Sequence, residues 1–553
     1  MTKFRDILSI GVATIAIVTM AGQNLIATDS SDTAQKQTQK KLMKKKGKKQ
    51  KHKRDASVKK KDMAPKIQKK IPVPSKEDKT PLWLKISHEP IVHPKEMNGK
   101  IGANHPFNKA LAAAYNYNPQ IKSKLRQYYA TAEGVSQAMA EFRPSVVGTV
   151  QTGYSVGEAQ NKNGSNQGVI DARSLNQKSA NLSITQNLYK GGGTIAGMSA
   201  AENQVRSARA DFLNTEQTIL LNAAQAYLEL WFQREKLKTI KISEKFYKET
   251  LQQVKAQAEV GESSTITDVA QAEFEYEKSV ATRIDTEAAL ENAHATYIQT
   301  IGEEPSAVLT LPAPIHEMME LPSSLSILLG AVEKYNPDII KAQYDYISSK
   351  DSVDVAAGAL LPSVDLVGSA DRTIDNSTRG ARQNDASVFL RMTIPIYNNG
   401  GADWSSIRKS EQTASQKKHE LDTARDSALK NTKQTWKNLQ SNKAQIKRYE
   451  AAIKAGDIRT EGTRQEYVVG ERSLLEVLQS EEVVVTARVS ILEERRDYIF
   501  NGYTLISTLG ELTPEILQLA VASYDVDTYP ETVRDQWLGW DKTEPLRKRG
   551  AGR

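Results

Sequence analysis

Two periodicities divide the chain. Over residues 145–190, and again over 363–396, apolar and polar side chains alternate; behind each stretch, apolar residues recur every three or four positions. In the first stretch Val146, Val150, Tyr154 and Val156 fall on one face and Thr149, Gln151 and Ser155 on the other. Ala180, Leu182, Ile184 and Leu188 then oppose Ser179, Asn181, Ser183, Thr185 and Asn187. The second stretch repeats the pattern, Val364, Leu366 and Ala370 opposing Asp365, Ser369 and Asp371, and Val388, Leu390, Met392, Ile394 and Ile396 opposing Ser387, Arg391 and Thr393. The alternation predicts four strands of about 10–12 residues, each with an apolar face and a small, polar one. Such strands suit a membrane barrel with lipid outside and water inside. Taken singly, they also fit a half-buried soluble sheet. The polar segments NKNGSNQGVIDARS (161–174) and DNSTRGARQND (375–385) read as the tips joining each pair.

The helical periodicity is long. Thr194–Val260 contains no proline, and Ile195, Met198, Ala201, Val205, Ala208 and Phe212 keep three- and four-residue steps. A helix of about 67 residues spans roughly 100 Å, against a usual length of about 10–14 residues. The chain turns at Gly261, and a return helix runs to about Ile301; equivalent helices occupy about 402–468 and 472–509.

The two halves are copies. YNYNPQI (115–121) matches KYNPDII (334–340), RPSVV (143–147) matches LPSVD (361–365), and EVGESSTITDVAQAE (259–273) matches VVGERSLLEVLQSE (468–481). Gly193/Gly401 and Asp268/Glu476 share one offset, 208 residues, so the long segments between them are equal in length.

LYKGGGTIAGMSAAENQ, beginning at Leu188, contains Gly191, Gly193 and Gly197 at a spacing close to a phosphate-binding turn. A dinucleotide fold would need a short helix and a further strand within about 30–40 residues, and neither follows. Gly192 and Gly193, with Gly400 and Gly401 in the copy, instead read as corners where a strand feeds a helix. No other chemistry emerges. The seven histidines (52, 88, 93, 105, 294, 316, 419) are scattered, there is no cysteine, and no nucleophile or metal motif occurs. The sequence implies no enzyme, no cofactor and no metal.

Charge and the first residues add an address. Lys3 and Arg5 precede the apolar run ILSIGVATIAIVTMAG and small residues suited to cleavage near Ala21 or Ala27. A single-span anchor is the alternative. Lys36–Lys70 carries 17 Lys and Arg against Asp55 and Asp62, a net +15; subtracted from the chain's +9, it leaves −6 for the remainder. This tract has few large apolar residues and reads as a solvated tail facing anionic lipopolysaccharide or cell wall. Without interleaved aromatics, and behind an export signal, it does not read as a nucleic-acid binder. Four strands cannot close a membrane barrel, whose smallest form has eight, and an open edge is excluded from lipid, so membrane strands would require oligomerisation.

The duplicated strand–glycine–long-helix unit and its two V-G-x…D/E-V turns resemble the TolC family of outer-membrane export ducts, over about residues 105–525. The resemblance implies an α+β membrane protein. Its homotrimer has a 12-stranded β-barrel, four strands per chain, continued by a long α-helical periplasmic barrel. It also implies a Gram-negative outer-membrane location and a passive exit duct for tripartite efflux or type I secretion. The implied partners are a periplasmic adaptor, an inner-membrane ABC or RND transporter, and outer-membrane lipid or lipopolysaccharide. On this basis 1–27 is a signal peptide, 28–100 the Lys-rich segment, 101–310 and 311–520 the two repeats, and 521–553 a tail that is equatorial or disordered. In the turn EYVVGERSLLEVLQSEE, Tyr467 and Arg472 match the family's aperture tyrosine and arginine, and Asp268 the aspartate they engage in the other half. Glu476 stands at the first acidic ring position, and Gln479 departs from the second. Helix capping is the alternative to gating for these residues, since Ser264, Thr265 and Ser473 lie near helix starts, where Asp268 and Glu476 would favour the dipole. The adaptor is expected at the turns marked by Val260, Gly261, Val469 and Gly470. Two other classes remain on sequence grounds, a periplasmic adaptor and a coiled-coil envelope tether.

Overall fold

The computed structural model describes residues 105–162, 168–260, 265–314, 324–375 and 379–539, all within one unit of the chain. The leader, the Lys-rich segment, Gly261 and residues 540–553 lie outside them. Each repeat starts with two short helices: α1 (Pro106–Tyr117) and α2 (Pro119–Ala140), then α5 (Leu325–Tyr335) and α6 (Pro337–Gly358) in the copy. The junction in each pair is the Asn-Pro dipeptide. Asn118 and Asn336 accept backbone N–H bonds in their side chains, and the proline fills the first helical position, where no N–H is needed.

A strand pair follows in each repeat, β1 (Ser145–Lys162) and β2 (Gly168–Lys190), then β3 (Ser363–Ile374) and β4 (Arg382–Thr393). The four form one antiparallel sheet in the order β1-β2-β3-β4, so β1 and β4 are its edges. The register aligns Val146, Ile184, Gly368 and Val388, and also Gly148, Leu182, Ala370 and Ala386, which puts the apolar sides of all four strands on one face. That face is bare: Val150, Tyr154, Val156 and Val388 are each more than 70% exposed. The opposite face is joined by side-chain bonds, Asn181 to Asp371, Asn187 to Asp365 (3.1 Å) and Ser369 to Ser387 (3.0 Å).

The second hairpin has the expected strand length, 12 residues in each strand, but the first runs to 18 and 23. Asn161–Lys162 and Gly168–Ser174, expected in the joining loop, continue the ladder instead. Paired strands satisfy each other's backbone whatever their side chains, so a polar hairpin extends where it meets water rather than lipid. Similarly, Arg382–Asp385 belong to β4 rather than to the tip. At its other end β4 stops at Thr393, short of the predicted Ile396, because Pro395 has no N–H for the ladder. A bulge between Asn187 and Tyr189 brings Tyr189 rather than Leu188 opposite Val364.

The helices match the sequence expectation to within two residues. α3 (Gly193–Val260) returns through α4 (Ile266–Ile301), and α7 (Ala402–Val468) through α8 (Leu474–Thr508). α3 packs along α4 over one part of its length and along α2 and α6 over another. Its seam with α6 is polar: Ser199 and Asn203 donate to Asp351 (2.7 and 2.8 Å), and Asn214 to Asp338 (2.7 Å). Where the short helices cross the long ones, the main core gathers Phe107, Tyr115, Tyr128, Phe212, Tyr227 and Tyr503. The chain then returns to the first repeat. The Tyr128 and Tyr129 hydroxyls donate to the carbonyls of Val526 and Asp525, and Tyr529, on the short helix α9 (Thr528–Arg534), stacks on Tyr129 at 4.0 Å. Beyond α9, the Arg143 guanidinium lies over the Trp537 ring.

The corner glycines differ in kind. Gly192, Gly400 and Gly401 have φ of 79°, 60° and 84°, in open space. Gly191, absent from the sequence-predicted corner, has φ 58°, and a Cβ there would lie 2.3 Å from the Gly358 carbonyl oxygen. Gly191→Ala should therefore prevent the corner from seating against α6, whereas Gly192→Ala should cost only the left-handed penalty of about 1–2 kcal/mol. Thermal unfolding followed by circular dichroism separates the two; equal melting temperatures would refute the close-approach account.

Candidate gate at the helical turns

The far ends of the two long hairpins lie together, and a small apolar cluster holds them. Tyr247, Leu251 and Val254 of α3, Ala272 of α4, and Leu474 and Leu478 of α8 are buried there, with Tyr467 of α7 packed against them. Burial first, then the carboxylates of Glu275, Glu481 and Glu482, push the Tyr247 phenol above its ordinary range, so it stays neutral. Beside this cluster, Lys278 on α4 reaches Glu482 on α8 at 2.8 Å, an ion pair between the hairpins.

Both turns start their return helices in the same way. Asp268 accepts from the Thr265 N–H (2.9 Å) and hydroxyl (2.7 Å), while the Thr265 oxygen accepts from the Asp268 N–H. Ser473 and Glu476 make the equivalent reciprocal pair. These are capping boxes, and they bear out the capping reading of Asp268 and Glu476. Gly470, at φ 82°, supplies the left-handed residue that lets α7 stop and α8 begin.

The within-chain link expected from Tyr467 or Arg472 to Asp268 is not made. Asp268 spends its carboxylate on the cap. The Tyr467 hydroxyl donates instead to Gln257 at 3.5 Å, the one polar bond from this tyrosine to the first repeat among the described residues. Arg472 stays within its own hairpin, bonded to Glu466 at 3.0 Å and Glu476 at 3.5 Å. Hydrogen bonding to Glu466 leads the effects that raise its guanidinium pKa further above the ordinary value. Glu466, Gln257 and Glu481 were not singled out from the sequence. Glu466 had a signal available, as an acid one turn before the glycine that reverses the chain toward Arg472. The other two had none, because their significance depends on which helix of the other repeat lies alongside. Gln479 is exposed and Glu476 half-exposed; apolar Ile266, Val468 and Val469 stand bare at the turns.

The fold and its turns have known counterparts. The outer membrane efflux protein family matches residues 110–303 and 328–511, one segment in each repeat. The chain belongs to the outer membrane efflux protein family. Within it, the chain is 27% identical over 445 residues to the outer membrane efflux protein BepC of Brucella suis, covering 80% of this chain and 93% of that one. It is 24% identical over 414 residues to outer membrane protein TolC of Vibrio cholerae, covering 73% and 91%. Among solved structures, the Campylobacter jejuni CmeC outer membrane channel superposes with a TM-score of 0.64 at 16% identity, covering 82% of this chain and 98% of that one. Membership of the efflux protein family gives the chain its outer-membrane location and gives the bare face of the sheet its solvent. It also fixes the fold expected from the resemblance. No helix among the described residues is long and apolar enough to cross a membrane.

Burial raises the Glu481 carboxyl above its ordinary 4.5; Asp457 adds to the shift and Arg488 opposes it. A carboxyl raised on folding stabilises fully below its unfolded pKa and loses that contribution as pH rises through the folded value. Above its unfolded pKa Glu481 therefore withdraws stability from the folded chain instead of adding it. Glu481→Gln should melt higher than wild type at pH 7, with the difference disappearing below about pH 4. Coincident melting curves at pH 7 would remove this assignment.

Proposed function

We propose that the protein is the exit duct of a tripartite efflux pump or type I secretion system, formed by three copies of the chain. One observation carries this reading: a four-stranded sheet with a bare apolar face and two unpaired edges runs through glycine corners into helices of 68 and 67 residues. In lipid those edges must pair, and three copies joined β4 to β1 give a 12-stranded barrel. The helices continue it into the periplasm as a tube, and the duct performs no bond chemistry. Export is driven by an inner-membrane transporter, of the ABC or RND type, coupled through a periplasmic adaptor.

The adaptor meets the turns at about 259–266 and 468–474. Their bare Ile266, Val468 and Val469 offer it apolar contact, and Gly470 reverses the backbone of the second turn, while Val260, Gly261 and Val469 mark where the adaptor is expected. In the resting duct the two hairpins of each chain are held by the Tyr467–Gln257 bond, the Lys278–Glu482 pair and the apolar cluster, while Arg472 stiffens its own turn through Glu466 and Glu476. Asp268 keeps its cap and presents its remaining acceptor capacity to the adjacent copy. Opening exchanges these contacts for contacts with the adaptor, a shift between two packings.

Single-channel conductance of the purified protein in planar bilayers tests the reading. Wild type should give small, stable steps, and Tyr467→Phe/Arg472→Ala should enlarge them several-fold. Equal steps would leave the duct and remove the gate; no conductance from correctly inserted protein would remove the duct.

A further inference from the structure

Among the described side chains, the bare face of the sheet carries charge at one level only, and there it is all of one sign. Following the apolar side of each strand away from the glycine corners, the residues run Val364, Leu366, Gly368, Ala370 on β3 and Met392, Leu390, Val388, Ala386 on β4. The next places on that side are Arg372 on β3, between Ala180 and Asn384, and then Lys178 on β2 and Arg382 on β4, on either side of Ile374. These three cations occupy adjacent strands, all exposed, and Lys178 and Arg382 are diagonal neighbours of Arg372. Such diagonals are about 7–8 Å apart, a separation at which like charges repel.

No carboxylate relieves them. Asp365, Asp371 and Asp385 alternate onto the opposite face, where Asn181 and Asn187 bond the first two and Arg391 stands opposite Asp365. The nearest acid of the same parity is Glu158, paired in the ladder with Ala172, six residues beyond Lys178 along β2. Among the described residues none of the three cations has a hydrogen bond or ion pair. Among the described side chains, Asp365, Asp371 and Asp385 lie on the opposite face together with Arg391, and the bare face holds the three uncompensated cations.

The level of the belt identifies its counter-charge. From Val364 to Arg372 is eight residues, about 27 Å of strand, which at a tilt near 40° covers about 20 Å of membrane height, close to the ~25 Å apolar band of such barrels. The belt lies at the end away from the glycine corners and helices, which under the duct reading faces the cell exterior. We propose that Lys178, Arg372 and Arg382 form a binding site for the phosphate groups of lipid A, the anionic glycolipid of the outer leaflet. Both arginines offer forked donors matched to phosphate, and all three side chains have stems long enough to lie on the apolar band while their heads reach the headgroup layer. On β1 the apolar side continues past the belt to Tyr154 and Val156, so the site belongs to the β2–β4 side of each chain.

The site rests on the duct reading, and one set of measurements separates the two. Full-length purified protein is reconstituted in phosphatidylethanolamine vesicles doped with bisphosphorylated lipid A, re-extracted in mild detergent, and its retained lipid A measured by native mass spectrometry. Removing the cations as Lys178→Gln/Arg372→Gln/Arg382→Gln should weaken retention roughly a hundredfold, at about fivefold per charge. Arg391→Gln, on the opposite face, should leave retention unchanged, and Lys178→Arg/Arg372→Lys/Arg382→Lys should keep most of it. Dephosphorylated lipid A should be retained by wild type no better than by the triple glutamine variant. Retention independent of the phosphates, or of the three cations, would overturn the proposal; so would displacement by inorganic phosphate at equal concentration, which would mark a simple anion site. If the glutamine variant forms no trimer, the wild-type comparison of phosphorylated and dephosphorylated lipid A decides alone. A conducting trimer indifferent to lipid A phosphates sinks this inference only, whereas a protein that inserts but never conducts sinks the duct with it.

Discussion

The need of every backbone N–H and C=O for a partner in lipid governs this protein more than any side chain does. A chain that contributes four strands presents a row of unpaired groups on β1 and another on β4, each group costing several kcal/mol in hydrocarbon. In the proposed trimer, other copies of the same chain supply the missing partners without any new surface having to evolve. Closure by copies would then fix the rest of the architecture. The strands tilt, the corners must redirect a strand into a helix within a few residues, and the helices inherit the circular arrangement of the strands that feed them. Left-handed glycines at 191–192 and 400–401 belong to this chain of consequences.

The helical ends obey a different rule. There the backbone is served locally, by capping boxes that need no neighbour, and the long hairpins are joined by weak and replaceable contacts. A 3.5 Å bond from Tyr467 to Gln257, a half-exposed ion pair and a small apolar cluster are few and modest for helices of this length. The contrast divides the molecule in two, with a barrel end whose pairing is obligatory and a far end whose packing is negotiable. A buried acid, Glu481, lowers the stability of the second end further.

Much of this was legible in the sequence, and unevenly so. The helices were, because a 67-residue stretch without proline and with steady three-and-four spacing admits no other structure. Their duplication was, because the 208-residue offset survives intact between Gly193/Gly401 and Asp268/Glu476. The sheet was legible only where the alternation was chemical. Past Val156 the first hairpin continues through residues without apolar–polar alternation, held by backbone pairing that side chains do not report. The bulge at Asn187–Tyr189 was hidden for the same reason, since either Leu188 or Tyr189 satisfies an apolar position. At the gate, Asp268 could be read as a cap or as a latch, and the choice depended on whether Thr265 or the other repeat came first to its carboxylate. Gln257 and Gly191 were invisible because their partners, Tyr467 and Gly358, are more than a hundred residues away.

The return of residues 524–537 to α2 sets an order of events. Tyr128 and Tyr129, among the first residues of the body to be synthesised, donate hydrogen bonds from their hydroxyls to the carbonyls of Val526 and Asp525, among the last. Arg209 waits likewise for Asp527, and Glu202 for Arg534. The first repeat can coil its helices early, but its core stays unsealed until translation has almost ended. The body's two termini thus act as the two halves of a clasp, and a truncated polypeptide carries an open one.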